Sequence, residues 1–139
     1  MSKSIFILLF CLLVQGCSLF DGDEIDPELE LLTPQSTMGD WPEATIGTAI
    51  RVQANLSVKH GGIERYAIAL SRQTDNRTAL AEIVHDFSVR PEEAVIDTLL
   101  TIPSSLTASL TDLEYRLSVR MEYEGGSLGV GQPVILVTE

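Results

Sequence analysis

The chain has 139 residues, 45% of them apolar, with a formal net charge of −11 and two cysteines. The acidic balance argues against nucleic-acid binding, because phosphates are contacted by Lys and Arg, and the length suits one domain with a single core. Both cysteines lie within the first 17 residues. The remaining chain can therefore form no disulfide, thiol nucleophile or thiolate metal site.

The N-terminal segment has the layout of a secretory signal. Lys3 precedes an apolar run of ten residues from position 5 to position 14, and acidic residues begin soon after Cys17. This run is shorter than the roughly 20 residues that a membrane-spanning helix needs, and it fits the apolar centre of a signal peptide. We predict a cleaved signal peptide over residues 1–16. An uncleaved anchor and an ordinary secretory signal are the alternatives.

The residues at the predicted cleavage site resemble the lipobox of bacterial lipoproteins, and they read Leu13-Val14-Gln15-Gly16-Cys17. This resemblance implies cleavage after Gly16, acylation of Cys17 and a lipid anchor in the bacterial cell envelope. One acyl chain holds a protein only marginally, but the family carries three on this cysteine, so the implied attachment is stable. Ser18 replaces the aspartate that commonly retains such proteins in the inner membrane, which favours the outer membrane.

Residues 17–28 form an acidic stretch without periodicity, and we interpret them as the acylated cysteine and a flexible tether. The stretch has a superficial likeness to a calcium-binding loop. However, Ile25 and Asp26 stand where the EF-hand pattern needs an oxygen ligand and a glycine. The sequence therefore predicts neither a metal site nor a cofactor.

Alternation of apolar and polar side chains with a period of two dominates residues 29–139. The clearest run covers residues 46–58 and is typical of a half-buried strand. A turn at Gly61-Gly62 follows, and the alternation resumes from Tyr66 to Leu70. These two strands are therefore predicted to form a hairpin.

Further strands are predicted at residues 78–89, 95–102, 113–123 and 128–137. The alternation of the first is blurred by Leu80, which indicates a β-bulge or a strand covered on both faces. About seven strands at regular spacing, without any helical stripe, predict an all-β fold. The expected architecture is an antiparallel two-sheet sandwich that forms the domain at residues 29–139.

A motif near the end of the chain favours one type of sandwich. Residues 110–119 resemble the tyrosine corner of immunoglobulin-like and fibronectin type III domains, in which a Tyr near the start of the sixth strand returns its hydroxyl to the backbone upstream. The resemblance implies that Tyr115 makes this bond and that Leu110 is the apolar residue before the corner. The family's third-strand Trp and its bridging cysteines are missing, so a transthyretin-like sandwich remains the alternative.

The sequence contains no recognisable catalytic constellation. His60 stands beside a glycine turn, and His85 precedes Asp86, which on a strand faces the opposite side and cannot orient the imidazole. Adjacent acids such as Glu92 and Glu93 are typical of solvated turns. We predict that the protein is not an enzyme, and a hydrolase is the less favoured reading.

Trp41 is the loop residue that we single out for contact. A loop Trp can anchor a protein or sugar partner, although a Trp that folds back over the end of a sandwich is the more common case. We expect a membrane-anchored protein with a binding or structural role, whose partner is a protein or a polysaccharide reached through loops or a strand edge. An accessory lipoprotein of an envelope or secretion complex is the alternative.

Overall fold

The computed structural model describes residues 26–37 and 39–139, so the predicted signal peptide and Cys17 lie outside the described residues. Within them there is no helix, and hence none of the length and hydropathy that crossing a bilayer requires. The all-β prediction is confirmed. The eight strands are β1 (Glu28–Thr33), β2 (Glu43–Thr45), β3 (Ala49–Ser57), β4 (Ile63–Arg72), β5 (Asp75–Asp86), β6 (Glu93–Thr101), β7 (Tyr115–Tyr123) and β8 (Gly126–Val137).

The strands form two sheets that pack face to face. One sheet has three strands in the order β1-β3-β6, and the other has five in the order β2-β8-β7-β4-β5. Neighbouring strands are antiparallel except β2 and β8, which run parallel over three residue pairs. This order resembles that of an immunoglobulin-like sandwich. The sandwich prediction is confirmed, and the short β2 is an additional strand that alternation did not reveal.

Alternate residues of both sheets fill the space between them. β3 buries Val52, Ala54 and Leu56, which are the apolar positions of the clearest alternating run in the sequence. Burial of one large apolar side chain stabilises a fold by roughly 1.5–3 kcal/mol, so this layer can hold the domain together without a disulfide. The facing sheet contributes Ile63, Ile68, Leu70, Leu117, Val119, Met121, Val134 and Leu136.

The predicted hairpin of β3 and β4 is wrong, because these strands belong to different sheets. Their connection begins at Val58 and leads into Ile63, the first residue of β4, and both of these side chains are buried. The Val58 N–H donates to the Glu92 carbonyl, and the Ile63 N–H donates to the Pro91 carbonyl. The chain therefore crosses over the end of the core and binds the loop between β5 and β6. Alternation cannot distinguish such a crossing from a hairpin, because both place a glycine turn between two strands.

The blurred alternation in β5 reflects a β-bulge. On β4, Leu70 pairs with Ala81 and Ser71 pairs with Ala79, so Leu80 is an extra residue on β5. A bulge shifts the alternation of all residues beyond it. This explains why one strand places apolar residues on both of its apparent faces.

Tyr115, the first residue of β7, closes a corner at one end of the sandwich. Its side chain is fully buried, and its hydroxyl donates a 2.9 Å hydrogen bond to the carbonyl of Thr107, eight residues upstream. Leu110 does not fill the core before this corner, because its side chain is 90% exposed. The Leu110 N–H donates to the Glu114 carboxylate, which holds this part of the loop at the surface, and Leu106 packs against the core instead.

The Tyr115→Phe variant should lower the free energy of unfolding by about 1–3 kcal/mol, because the Thr107 carbonyl loses its donor while the ring packing is kept. Chemical denaturation of the purified protein measures this loss. Tyr123→Phe is the control, since Tyr123 lies at the other end of β7 and is only half-buried. An unchanged denaturation midpoint for Tyr115→Phe would show that the corner hydrogen bond does not stabilise the fold.

Candidate functional site: the open side of the sandwich

The unequal sheets leave one side of the sandwich uncovered. β1 lies against β8, whereas β6 lies against β4 and β5. β6 and β5 are the last strands of their sheets, and no described strand pairs with the outer side of either. The larger sheet has two more strands, and β6 covers β5 only in part, since on its core-facing side Ile83 stays half-buried and His85 exposed. We call β6, β5 and the gap between them the open side.

β6 is a long and regular edge strand. All nine of its residues pair with β3 in one continuous antiparallel register without a bulge. On its outward face Val95 is 75% exposed and Leu99 is 61% exposed. Natural sheet edges are commonly protected by lysine, proline or a bulge. β6 carries none of these devices.

The other edge strands do carry such protection. β5 contains the Leu80 bulge. β1 has a shift of register between Leu31 and Thr33, and Pro34 follows it. β2 is only three residues long. Because short strands, bulges and proline all limit pairing, β6 is the edge of the described chain that is most open to an added strand.

The single charge in the middle of β6 is held against its own sheet. Arg51 on β3 binds both carboxylate oxygens of Asp97, with Nε–Oδ1 at 2.9 Å and Nη2–Oδ2 at 2.8 Å. These hydrogen bonds lower the pKa of Asp97, so the carboxylate stays ionised and paired at neutral pH. Asp97 therefore protects the edge less than an unpaired carboxylate would.

The core-facing side chains of β5 form the floor of the gap. Leu70 on β4 is fully buried, but on β5 Ile83 is half-buried and His85 is exposed, and Phe87 just beyond the strand is half-buried. The His85 ring stacks on Tyr66 with centroids 5.2 Å apart, and it meets Phe87 edge-on at 4.8 Å. The apolar layer of the core thus continues past the smaller sheet as a partly hydrated surface.

The sequence matches no protein-family model and no curated protein. The functional inference therefore rests on the geometry of the open side. That geometry combines the unpaired backbone of β6 with the half-exposed apolar surface of β5. Both features suit an extended protein segment better than a small molecule, because an open edge offers backbone hydrogen bonds along its length rather than an enclosing cavity.

Trp41, the predicted contact residue, does not belong to the open side. It lies in the loop before β2, at the opposite edge of the sandwich from β6. The residue is 36% exposed. It borders a shallow hollow together with Ser36, Thr37 and Asp40.

The two histidines are far from any catalytic arrangement. His60 is exposed in the connection between β3 and β4. His85 stacks on Tyr66, while its neighbour Asp86 forms an ion pair with Arg65 on the opposite face of the sheet. Across residues 26–37 and 39–139, no group of three or more His, Cys, Asp or Glu side chains is placed to hold a metal ion.

Reasoning from the sequence missed Val95 and Leu99 as candidate contact residues. The run from Ala94 to Leu100 is apolar on both faces, which is the pattern of a strand covered on both sides. In the described structure only the core-facing side of β6 is covered. A two-sided apolar pattern on a strand that is buried on one side is the signal that identifies this edge.

Proposed function

We propose that this chain is a non-catalytic, lipid-anchored protein of the bacterial cell envelope that binds a protein partner by accepting a strand at the edge of β6. The regular, bulge-free edge beside the exposed side chains of Val95 and Leu99 carries this proposal. Strand addition provides affinity through main-chain hydrogen bonds and specificity through alternate side chains. The anchor, with the outer membrane as the favoured location, rests on the resemblance of the residues around Cys17 to a lipobox.

The arrangement of the aromatic rings at the open side supports a protein partner over a polysaccharide. A flat aromatic surface would favour stacking of a sugar. Tyr66 and Phe87 are inclined at 56°, and His85 and Phe87 at 79°, so these rings do not form a common plane. The bare strand edge is therefore the better-supported contact surface.

An accessory role in an envelope or secretion complex is a special case of the same proposal, because accessory proteins act by binding other proteins. The sandwich fold by itself does not decide between these roles. Identifying the partner would distinguish the two roles. A variant with a substitution at the edge of β6 serves to separate specific capture of that partner from background.

Leu99→Lys should abolish partner binding while leaving the protein folded. A lysine on an edge strand is a natural device against strand addition, and the Leu99 side chain is largely exposed. Leu113→Lys is the matched control, since Leu113 is 59% exposed and lies in the loop before β7. Tagged proteins are cross-linked in the bacteria that make them, extracted from membranes and compared by mass spectrometry. Partners should be recovered with the wild type and Leu113→Lys but reduced at least tenfold with Leu99→Lys.

Circular dichroism and thermal melting of the two variants verify that both keep the fold. If folded Leu99→Lys recovers the same partners in the same amounts as Leu113→Lys, the edge of β6 is not the binding site and the proposal is wrong.

A further inference from the structure

We infer that the partner segment becomes a fourth strand of the three-stranded sheet, and that it is apolar on both faces with a basic end. This inference rests on the proposed function and specifies the chemistry of the partner for the same edge. It comes from what the structure places on the two sides of the missing strand.

A strand added to β6 would lie about 4.8 Å beyond it in the sheet, on the side where β5 is only partly covered. Its inward side chains would point at Ile83, His85 and Phe87, where the apolar layer is only partly covered. Packed sheets lie about 10 Å apart, so side chains of ordinary size can fill this gap. The added strand would thus complete the sandwich over β5.

The outward face of the added strand also meets apolar side chains. Val95 and Leu99 point away from the core on β6 and would be cross-strand neighbours of the incoming residues. Apolar and β-branched neighbours on the same face stabilise a pair of strands. A segment with a polar outward face would leave both side chains exposed, so the open side favours a segment that is apolar on both faces.

The charge near β6 favours a basic residue at one end of this segment. Glu92 and Glu93 lie at the start of the strand, and neither forms an ion pair with any other described residue. The nearby Arg90 is paired with Glu64. The whole chain also carries a net charge of −11. A Lys or Arg at the end of the incoming strand that meets Glu92 and Glu93 would complement this charge.

A second copy of the chain is a poor occupant of the edge. Each copy carries a net charge of −11, so two copies repel each other at long range. The structure thus favours a strand from a different, basic protein.

Two synthetic nine-residue peptides test this inference on the full-length protein purified in detergent. The two-sided peptide has Lys at both ends and Val at the seven positions between, and the one-sided peptide has Ser at alternate Val positions. Hydrogen–deuterium exchange of residues 93–101 is the readout, because a paired edge exchanges its amides more slowly. We expect the two-sided peptide to protect β6 at a concentration at least tenfold lower than the one-sided peptide.

Three variants separate the inward contact from the edge itself. His85→Ser removes an exposed ring from the gap and should weaken protection by the two-sided peptide about three- to tenfold. Leu99→Lys should abolish the protection, and Leu113→Lys should leave it unchanged. Because His85, Leu99 and Leu113 are all exposed, these substitutions should not disturb the core.

Each contrary result has a defined meaning. If the two peptides protect β6 equally, or if His85→Ser responds like the wild type, the inference of a segment that is apolar on both faces is wrong. The edge of β6 would still be the binding site if Leu99→Lys abolishes the protection. Absence of protection by either peptide would overturn both the inference and the proposed function. A concentration-dependent dimer that Leu99→Lys dissolves would assign the edge to a second copy and overturn the inference of a basic partner.

Discussion

Replacing Cys17 by Ser should move the protein from the membrane fraction to the soluble fraction of bacterial cells. The resemblance of residues 13–17 to a lipobox implies that attachment depends entirely on acyl chains bound to this sulfur. Burial of each methylene contributes about 0.8 kcal/mol, so loss of all the chains removes the anchor rather than weakening it. The acidic chain also offers little electrostatic attraction to anionic lipids. Cell fractionation followed by immunoblotting measures the effect.

Cys11→Ser is the matched control for the anchor. Cys11 lies inside the predicted signal peptide and would be removed by cleavage after Gly16, so this change should leave the protein in the membrane fraction. Mass spectrometry of the wild-type N-terminus should show a lipid-modified Cys17 as the first residue. If Cys17→Ser remains in membranes like the wild type, the anchor is elsewhere, and the uncleaved apolar run becomes the better explanation.

Gly62→Ala should destabilise the domain by about 3–5 kcal/mol, through backbone strain and a steric clash together. Gly62 has a φ of +75°, in the left-handed region that L-residues avoid. A Cβ at this position would lie 2.7 Å from the Cβ of Arg90 and 2.8 Å from its carbonyl carbon. These atoms cannot easily withdraw, because the next two carbonyls, of Pro91 and Glu92, accept hydrogen bonds from the crossing chain. Chemical denaturation of the purified variant measures the loss.

Gly39→Ala separates the two causes. Gly39 has a φ of +90°, but a Cβ there would meet nothing within 4 Å. This variant should lose only the backbone contribution of about 1–2 kcal/mol. Equal losses in the two variants would show that the loop of Arg90 yields to the added methyl group. The result also bears on function, because that loop leads directly into β6.

The strands were predictable because burial on one face leaves a local record in the sequence. Val52, Ala54 and Leu56 alternate with polar residues, and a shift of one residue would turn all of them towards water. The corner was also predictable, since the position of Tyr115 at the start of a strand is part of a local motif. β2 was not predicted, because three residues are too few to show the alternation of apolar and polar side chains.

One local prediction failed because the path of the chain there depends on residues distant in the sequence. The glycine turn after β3 looked like a hairpin, but carbonyls from the loop before β6 draw the chain to the other sheet. Leu110, which the resemblance implied to be the apolar residue before the corner, lies at the surface, and its N–H donates to the Glu114 carboxylate. The contacts that decide the path after β3 involve backbone carbonyls, which hydrophobic alternation does not identify.

The sequence by itself determined the single β-rich domain, the position of most strands and turns, the tyrosine corner and the expectation of a lipid anchor at Cys17. These properties follow from local alternation, turn residues and short motifs. Only the tertiary structure decided which strands pair and which edge stays bare, because β3 and β6 meet across a long separation in sequence. Arg51 and Asp97, which form an ion pair between them, are 46 positions apart. Val95 and Leu99 alternate with the buried Ile96 and Leu100, so pairing β6 into the smaller sheet turns them to its outward, solvent-facing side.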